Sequence, residues 1–296
     1  MENKKIILIT GSSGFIGKNL IEYFSKKHKI IAPSHSQLDL LDTDAVNCFF
    51  KENKIDIVIH AANFGGNRNQ PDSPEIVKNN LLMFFNLANN SDYFKKMIFL
   101  GSGAEYEKNR NLINVKESSF GDYIPKDNYG FSKFVCSKYL EGSKKIINLR
   151  LFGVFGKYEN YNLRFISNII CRVIFDIPVE INQNRKMDYL FIDDFCKIVD
   201  YFVENTPKNQ IYNTSTNNHL DLLSIAKMIK QVSGREFKIV IKNKGMNKEY
   251  TCDSSRLIKE LNNHVQFTEF KDAIGKLYKW YLNNKDKIKK ENLLKY

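Results

Sequence analysis

What the chain lacks narrows it first. Its five cysteines, at positions 48, 136, 171, 196 and 252, are scattered, odd in number and never spaced as CxxC, which points to neither a disulfide framework nor a thiolate zinc site. Its five histidines show no HxxxH or HExxH spacing, so no catalytic metal is expected. No apolar run is long enough to span a bilayer, and no signal-peptide core or cleavage site precedes Ile6-Ile7-Leu8-Ile9. A cytoplasmic protein with no membrane partner is the expectation. Internal repeats and low-complexity tracts are also missing.

What is there is ordinary globular material: 296 residues, 43% hydrophobic and 26% charged, enough for one large α/β core or two unequal ones. The net charge of +12 raises the question of a polyanionic partner. The lysines, however, are spread along the chain among asparagines, and the densest run, Lys285 to Lys295, is at the C-terminal end. That distribution reads as a solvated basic surface, with no nucleic-acid partner. It also suits a substrate bearing a diphosphate.

The first half alternates short apolar runs (Lys5–Ile9, Lys29–Ala32, Asp56–His60, Lys96–Leu100, Ile146–Arg150) with helical patterns near Phe15–Lys27, Thr43–Asn53, Pro74–Asn89 and Tyr129–Glu141. Thr43 is the expected N-cap of the second helix. Continuous apolar strands joined by helix-length crossovers predict a doubly wound parallel sheet of the Rossmann type, covered on both faces. We expect this cofactor domain to span residues 1–155. Residues 156–296 read as a smaller α+β substrate domain that lends an element within about 188–215 back to the main sheet. It should hold helices at about Leu163–Phe175, from Asp193 and from Asp221, strands near Tyr189–Ile192, Gln210–Asn213 and Phe237–Ile241, then two more helices.

Ile6-Ile7-Leu8-Ile9-Thr10-Gly11-Ser12-Ser13-Gly14-Phe15-Ile16-Gly17 is a strand, a glycine turn and a helix start. Glycines let the backbone approach a pyrophosphate, and the helix N-terminus offers it unpaired N–H groups. At the end of the second strand an NAD site usually carries a carboxylate, but here the chain reads Ser34-His35-Ser36. Hydroxyls and an imidazole accept a 2′-phosphate, which favours NADP(H) over NAD(H), with Lys18 a nearby cation. Asp39 can meet the adenine amino group or cap a helix.

Tyr129-Gly-Phe-Ser-Lys133 puts a phenol and an ammonium on one helix face, where the cation should lower the phenol pKa and make it a proton donor or acceptor. Tyr23/Lys27 and Tyr281/Lys285 share the spacing and read as helix-surface pairs. Tyr129 is set apart by following the strand that ends Phe99-Leu100-Gly101-Ser102, whose carboxyl edge is where open α/β sheets bind ligands. The chemistry is therefore assigned to Ser102, Tyr129 and Lys133.

Together these segments resemble the extended short-chain dehydrogenase/reductases, in their nucleotide-sugar branch. The resemblance runs through Thr10–Gly17, Asp39-Leu40, His60-Ala61-Ala62, Asn80, Ser102 four before Tyr106, Tyr129/Lys133, Arg150-Leu-Phe-Gly-Val-Phe-Gly156, Tyr189-Leu-Phe-Ile-Asp-Asp194 and Asp253–Leu261. It implies NAD(P), a nucleoside-diphosphate-sugar substrate and a homodimer built through a helix bundle. It also assigns cofactor contacts to Gly11, Ser13, Gly14, Phe15, Ile16, Gly17, Ser34, His35, Ser36, Asp39, Leu40, Ala61, Ala62, Asn63, Asn80, Leu100, Tyr129, Lys133, Phe152 and Val154.

Within the branch, 4,6-dehydratases place an Asp-Glu pair after the hydroxyl residue; here Gly103 and Ala104 stand there. His60–Gly66, Leu38–Asp42 and Phe99–Ser102 are similar to the GDP-L-fucose synthase group, which epimerises C3 and C5 through a cysteine and a histidine before reducing C4. Those positions fall here on Ala104 and Arg164, neither suited to moving a proton from carbon. The expectation is a C4-reductase of a nucleoside-diphosphate-4-keto-6-deoxy sugar (GDP-hexose or GDP-heptose favoured) without epimerisation, in surface-polysaccharide synthesis. Substrate contacts go to Gly103, Ala104, Arg164, Arg185 and Lys186, the last two standing where the family's usual arginine is Met187. An NAD-dependent 4-epimerase, a bifunctional epimerase/reductase and an NADP-sensing scaffold remain as alternatives.

Overall fold

The computed structural model describes residues 4–66 and 71–294; Met1-Glu2-Asn3 and Lys295, the end of the C-terminal lysine run, lie outside them. In chain order the strands are β1 (Ile6–Thr10), β2 (Lys29–Ile31), β3 (Ile57–His60), β4 (Lys96–Ser102), β5 (Leu112–Val115), β6 (Ile146–Leu151), β7 (Val154–Phe155), β8 (Val179–Asn184), β9 (Lys186–Met187), β10 (Leu190–Phe191), β11 (Ile211–Thr214), β12 (Leu220–Asp221), β13 (Ile239–Met246) and β14 (Tyr250–Cys252). The helices are α1 (Phe15–Phe24), α2 (Thr43–Glu52), α3 (Pro74–Ala88), α4 (Asn128–Leu140), α5 (Phe165–Ile174), α6 (Ile192–Glu204), α7 (Leu222–Ser233), α8 (Ser255–Leu261), α9 (Phe270–Asn283) and α10 (Lys290–Leu293).

The main sheet is parallel throughout, in the order β11-β6-β4-β3-β1-β2. Its central strands are apolar on both faces over most of their length because both faces are covered, with polar residues mainly at the strand ends and on β6 and β11. Ile7, Ile9, Ile57, Ile59 and Ile98 pack toward Leu20 and Phe24 of α1 and Phe195 and Phe202 of α6. The alternate residues Leu8, Val58, Met97 and Phe99 pack toward α2, α3 and α4 through Phe50, Phe84 and Leu140. Phe84 and Phe99 meet edge to face at 5.0 Å, and each fully buried ring contributes about 1.5–3 kcal/mol. β1 bonds β2 on one side and β3 on the other, so the strand order reverses there and leaves a crevice at the carboxyl ends of β1, β3 and β4.

One helix start differs from expectation in its capping. Asp42, not Thr43, caps α2: its carboxylate accepts from the Ala45 N–H at 2.9 Å, which the Thr43 hydroxyl, turned to Asn86, does not reach. Asp127 caps α4 the same way through Gly130, fixing the first turn that carries Tyr129. Tyr281 is a second correction: it is buried on α9 with its hydroxyl toward the Glu159 carbonyl, because that face of α9 packs on α5 and α7. Tyr23, half-buried near the end of α1, and Lys27, which lies beyond that helix, both reach Asp200 of α6.

β5 and β14 were not foreseen as strands. They pair in parallel within a second sheet, β12-β9-β14-β5, so a segment from the first half of the chain joins C-terminal strands. β11, conversely, adds to the edge of the main sheet beside β6. Among the described residues no helix is long and apolar enough to cross a membrane.

Candidate active site

The glycine turn is shaped by a close approach. Gly11 has φ +69°, and a Cβ there would stand 2.6 Å from the Ala62 amide nitrogen. Gly14 bonds back to the Gly11 carbonyl at 3.0 Å and caps α1, whose first turn carries no acidic residue. Open N–H groups at the carboxyl edge of β1 thus form a cradle for a phosphate, and the residues present suit a dinucleotide. Ser13 and Gly14 are exposed at its mouth, while Phe15 and Ile16 are half-buried behind it.

At the end of β2, Ser34 and Ser36 hydroxyls lie 3.0 Å apart, and Ser34 also bonds Gln37. His35 is exposed, 3.5 Å from the Asp39 carboxylate, which itself accepts from the Leu41 N–H. Asp39 therefore closes a turn and caps no helix; Leu40 beside it is buried. The Lys18 ammonium lies over the Tyr158 ring at 5.7 Å. Asn80, expected at the cofactor, spends its side chain on the Phe64 backbone (2.8 and 3.0 Å) and on Ser132 (3.2 Å), tying the Ala61–Gly66 loop to α4.

Ser102 ends β4 and caps the 3₁₀ turn Gly103–Tyr106 in a capping box. Its hydroxyl accepts from the Ala104 N–H (3.1 Å), while the Glu105 carboxylate accepts from the Ser102 N–H (2.9 Å). The Ser102 side chain is close enough to the Tyr129 phenol to act on its pKa. Lys133, one helical turn on, donates to the Leu100 carbonyl at 2.9 Å and lies 4.6 Å above the Phe99 ring. So the three groups expected to carry the chemistry stand together at the edge of the crevice.

One expectation is corrected. The Tyr129 phenol stands above its ordinary value, not below it, because burial outweighs the downward pull of the Ser102 side chain and of the Arg164 charge. Lys133 is not among the main influences on it: its ammonium is directed to a backbone carbonyl, 6.0 Å from the Tyr129 ring centre, and burial lowers its own pKa. Nearby His60, buried and bonded to Thr10, is pushed down to about 3 by burial and by Lys133, and so stays neutral.

Several contributors have no local signal in the sequence. Gly66, at φ +78°, lies against the Tyr129 ring, where a Cβ would come within 2.8 Å of Cδ2. Tyr250 on β14 brings its hydroxyl against Gly103, where a Cβ would meet it at 2.6 Å. Phe152, expected at the cofactor, packs instead on Tyr250 (5.0 Å) and Tyr106, because it belongs to the small apolar cluster behind Gly103. Val154 is half-buried and pairs with Leu190. Beneath lies a fully buried ion pair, Glu105 with Arg150 at 2.5 Å; Arg150 also donates to Tyr106 (2.7 Å), whose hydroxyl bonds Asn213 at 2.8 Å.

The cations assigned to the substrate separate. Arg164 precedes α5, exposed, with its charge felt by Tyr129 and Glu159. Arg185 lines a cavity of about 440 Å³ together with Asn162, Phe165, Asn168, Gln183 and Met187. Lys186 is exposed on β9 and does not line it. Away from the crevice, Lys95, Lys96, Lys144, Lys145 and Lys208, separate in sequence, surround a groove of about 490 Å³ at the amino ends of β4 and β6. His28, Asp200 and Glu204 stand within metal-ligating distance of one another, but Lys27 and Lys5 already pair with the two carboxylates.

A doubly wound sheet, a glycine turn at its first crossover and a serine–tyrosine–lysine set at the crevice define a dinucleotide-dependent enzyme of the extended short-chain dehydrogenase/reductase class. Residues 7–215 match the model of the NAD dependent epimerase/dehydratase family, and the chain belongs to that family, in its nucleotide-sugar branch. It is 24% identical to the GDP-L-colitose synthase of Yersinia pseudotuberculosis, over 95% of this chain and 99% of that protein. Among solved structures it is similar to a GDP-mannoheptose C4 reductase from Campylobacter jejuni with NADP bound (TM-score 0.80, 23% identity, 95% of this chain and 99% of that one). It is also similar to a UDP-glucose 4-epimerase from Thermotoga maritima with UDP-glucose (TM-score 0.79, 19% identity, 94% and 99%). These two likenesses concern the fold.

Proposed function

We propose that the chain reduces the C4 ketone of a nucleoside-diphosphate-4-keto-6-deoxy sugar with NADPH and leaves C3 and C5 unepimerised. The observation that carries this is the wall beside Ser102. Gly103 and buried Ala104 carry no acid or base, and Tyr250 and Phe152 fill the space beyond them. A dehydratase or a C3/C5 epimerase needs a group there that takes a proton from carbon.

The reduced nicotinamide supplies the hydride. Tyr129 gives its proton to the C4 oxygen, and the burial that raises its pKa keeps it protonated near neutral pH. Ser102 orients that oxygen and stabilises the charge developing on it. Lys133, fixed by the Leu100 carbonyl, would hold the cofactor ribose, and the Gly11–Gly17 turn its pyrophosphate. Arg164 adds a positive charge on the phenol's side of the site.

The cavity at Arg185 joins an aromatic face, Phe165, to the amides of Asn162, Asn168 and Gln183, a lining suited to a base, with the guanidinium for a diphosphate. The names of the colitose synthase and the heptose reductase favour GDP, with a hexose or a heptose. Ser34, His35 and Ser36 favour the 2′-phosphate of NADP. A homodimer and a place in surface-polysaccharide synthesis belong to the same reading.

The test is NADPH absorbance with a panel of GDP- and dTDP-linked 6-deoxy-4-keto sugars, run in deuterated water. Oxidation of NADPH with no deuterium at C3 or C5 is expected. Unchanged absorbance would defeat the reductase reading, and interconversion of C4 epimers of a 4-hydroxy nucleotide sugar supplied with NAD, without net production of NADH, would establish a 4-epimerase instead. Deuterium at C3 or C5 would show that epimerisation survives.

A further inference from the structure

Lysines that lie far apart along the chain converge at one end of the main sheet. Met97 of β4 pairs with Ile146 of β6, and its N–H bonds the Lys145 carbonyl at 2.9 Å. Lys95-Lys96 and Lys144-Lys145 therefore stand at the start of neighbouring strands, about 4.8 Å apart. β11 adds on the far side of β6, where the Gln210 carbonyl accepts from the Asn148 N–H at 2.7 Å. Residues 206–210, which lead into β11, bring Lys208 and close a groove of about 490 Å³. Five lysines and no acidic residue line it.

Carboxylates offset only part of that charge. Lys95 pairs with Asp56 at 3.0 Å, and Lys145 lies 3.6 Å from Asp92 and donates to the Ser91 carbonyl at 2.7 Å. Lys96 spends two of its three protons on the Phe202 and Asn205 carbonyls, at 2.6 and 2.7 Å, around the end of α6. Among the described residues, Lys96, Lys144 and Lys208 pair with no carboxylate. Burial, and after it the Lys5 charge, pull the Lys96 ammonium down to about 8, and Glu204 opposes them only in part. An anion in the groove would relieve all three cations. Thr206, exposed beside them, adds a hydroxyl.

We propose that this groove is a second anion site, fitted to a compact oligophosphate and separate from the crevice that carries Ser102. β4, seven residues long, begins at the groove with Lys96 and ends at the crevice with Ser102, about 20 Å away. Three uncompensated ammoniums in a cavity of small-ligand size suit two or three linked phosphates better than one. A membrane or a nucleic acid would meet such charges on an open face, whereas residues 206–210 make this one concave. The site stands whether or not the chain reduces a keto sugar.

Inorganic tripolyphosphate is the probe, titrated calorimetrically into the full-length protein at low ionic strength, with orthophosphate in a parallel titration. Tripolyphosphate should bind, and more tightly than orthophosphate. Lys144→Gln/Lys208→Gln removes two exposed charges without touching the core, and should weaken that binding about tenfold. Lys144→Arg/Lys208→Arg should keep it. Hydrogen exchange read by mass spectrometry locates the ligand: amides of residues 143–147 and 205–211 should gain protection when the probe is added.

No binding by tripolyphosphate, an unchanged affinity in the glutamine variant, or orthophosphate binding as tightly would each overturn the proposal. So would protection confined to residues 11–17, which would place the probe in the glycine turn. Binding of a DNA duplex or of phosphatidylglycerol vesicles that the glutamine variant loses, with tripolyphosphate left unbound, would make the lysines a macromolecular contact face and overturn it as well.

Discussion

Replacing Arg150 by methionine tests the element that holds the serine turn. Arg150 and Glu105 are both completely buried and paired at 2.5 Å. Removing the guanidinium strands a carboxylate in the interior, a change that costs about 3–5 kcal/mol when a buried pair is broken. Glu105 still accepts from the Ser102 N–H at 2.9 Å, from Ser137 at 2.5 Å and, more weakly, from Asn148 at 3.3 Å, which puts the expected loss near ~3 kcal/mol. Against a total stability of about 5–15 kcal/mol that is a large fraction. Urea unfolding should show a lower midpoint at unchanged slope. The double variant Arg150→Met/Glu105→Gln removes both charges and keeps an acceptor for Ser102, so it should recover about 1–2 kcal/mol of the loss. A loss below about 1 kcal/mol in the single variant, or a double variant less stable than the single, would refute the view that this ion pair clamps the turn.

Other expectations follow from the same geometry. Gly66→Ala places a methyl 2.8 Å from the Tyr129 ring at a left-handed φ. It should cost about 1–2 kcal/mol in thermal or urea unfolding and lower kcat by between about 10- and 100-fold. Tyr129→Phe should abolish turnover while NADPH binding, followed by fluorescence titration, survives. In the wild type, kcat for reduction should be level through neutral pH and fall only as pH rises through a Tyr129 pKa above the ordinary tyrosine value; a decline beginning near neutral pH would contradict the burial argument. Glu159 is buried and bonded to Ser167, with burial pushing its carboxyl up to about 8 from an ordinary 4.5. Its folded-state pKa is thus the higher, so stability from this group is complete below the unfolded value and is lost as pH rises toward about 8. Glu159→Gln should therefore flatten the decline of Tm across that window, and an unchanged decline would remove Glu159 as its cause.

The parts of the site that could be read from sequence are those set by short-range geometry. A glycine turn between a strand and a helix, a phenol and an ammonium one helical turn apart, and a hydroxyl at a strand's carboxyl end each follow from spacing along a single element. The alternation of strands and helices likewise predicts the parallel sheet and hence the crevice. Helix caps were less legible: Thr43 and Asp42 are both good capping residues, and only backbone geometry selects Asp42. Asn80 and Phe152 sit on family motifs, but their side chains go to the Phe64 backbone and to the Tyr250 cluster.

The sequence by itself was enough to put forward Ser102, Tyr129 and Lys133 as the proposed reacting set, and it determined the lack of an acid or base at Gly103 and Ala104, because those are identities and local spacings. Only the tertiary structure decided how the set is poised. Burial places the Tyr129 phenol above its free value, where spacing alone had suggested that Lys133 would lower it. The pairing of β5 with β14 carries Tyr250 to Gly103, and the pairing of β4, β6 and β11 joins Glu105, Arg150, Tyr106 and Asn213 beneath the serine turn. These meetings depend on strand order and desolvation across the whole fold, which no window of sequence contains.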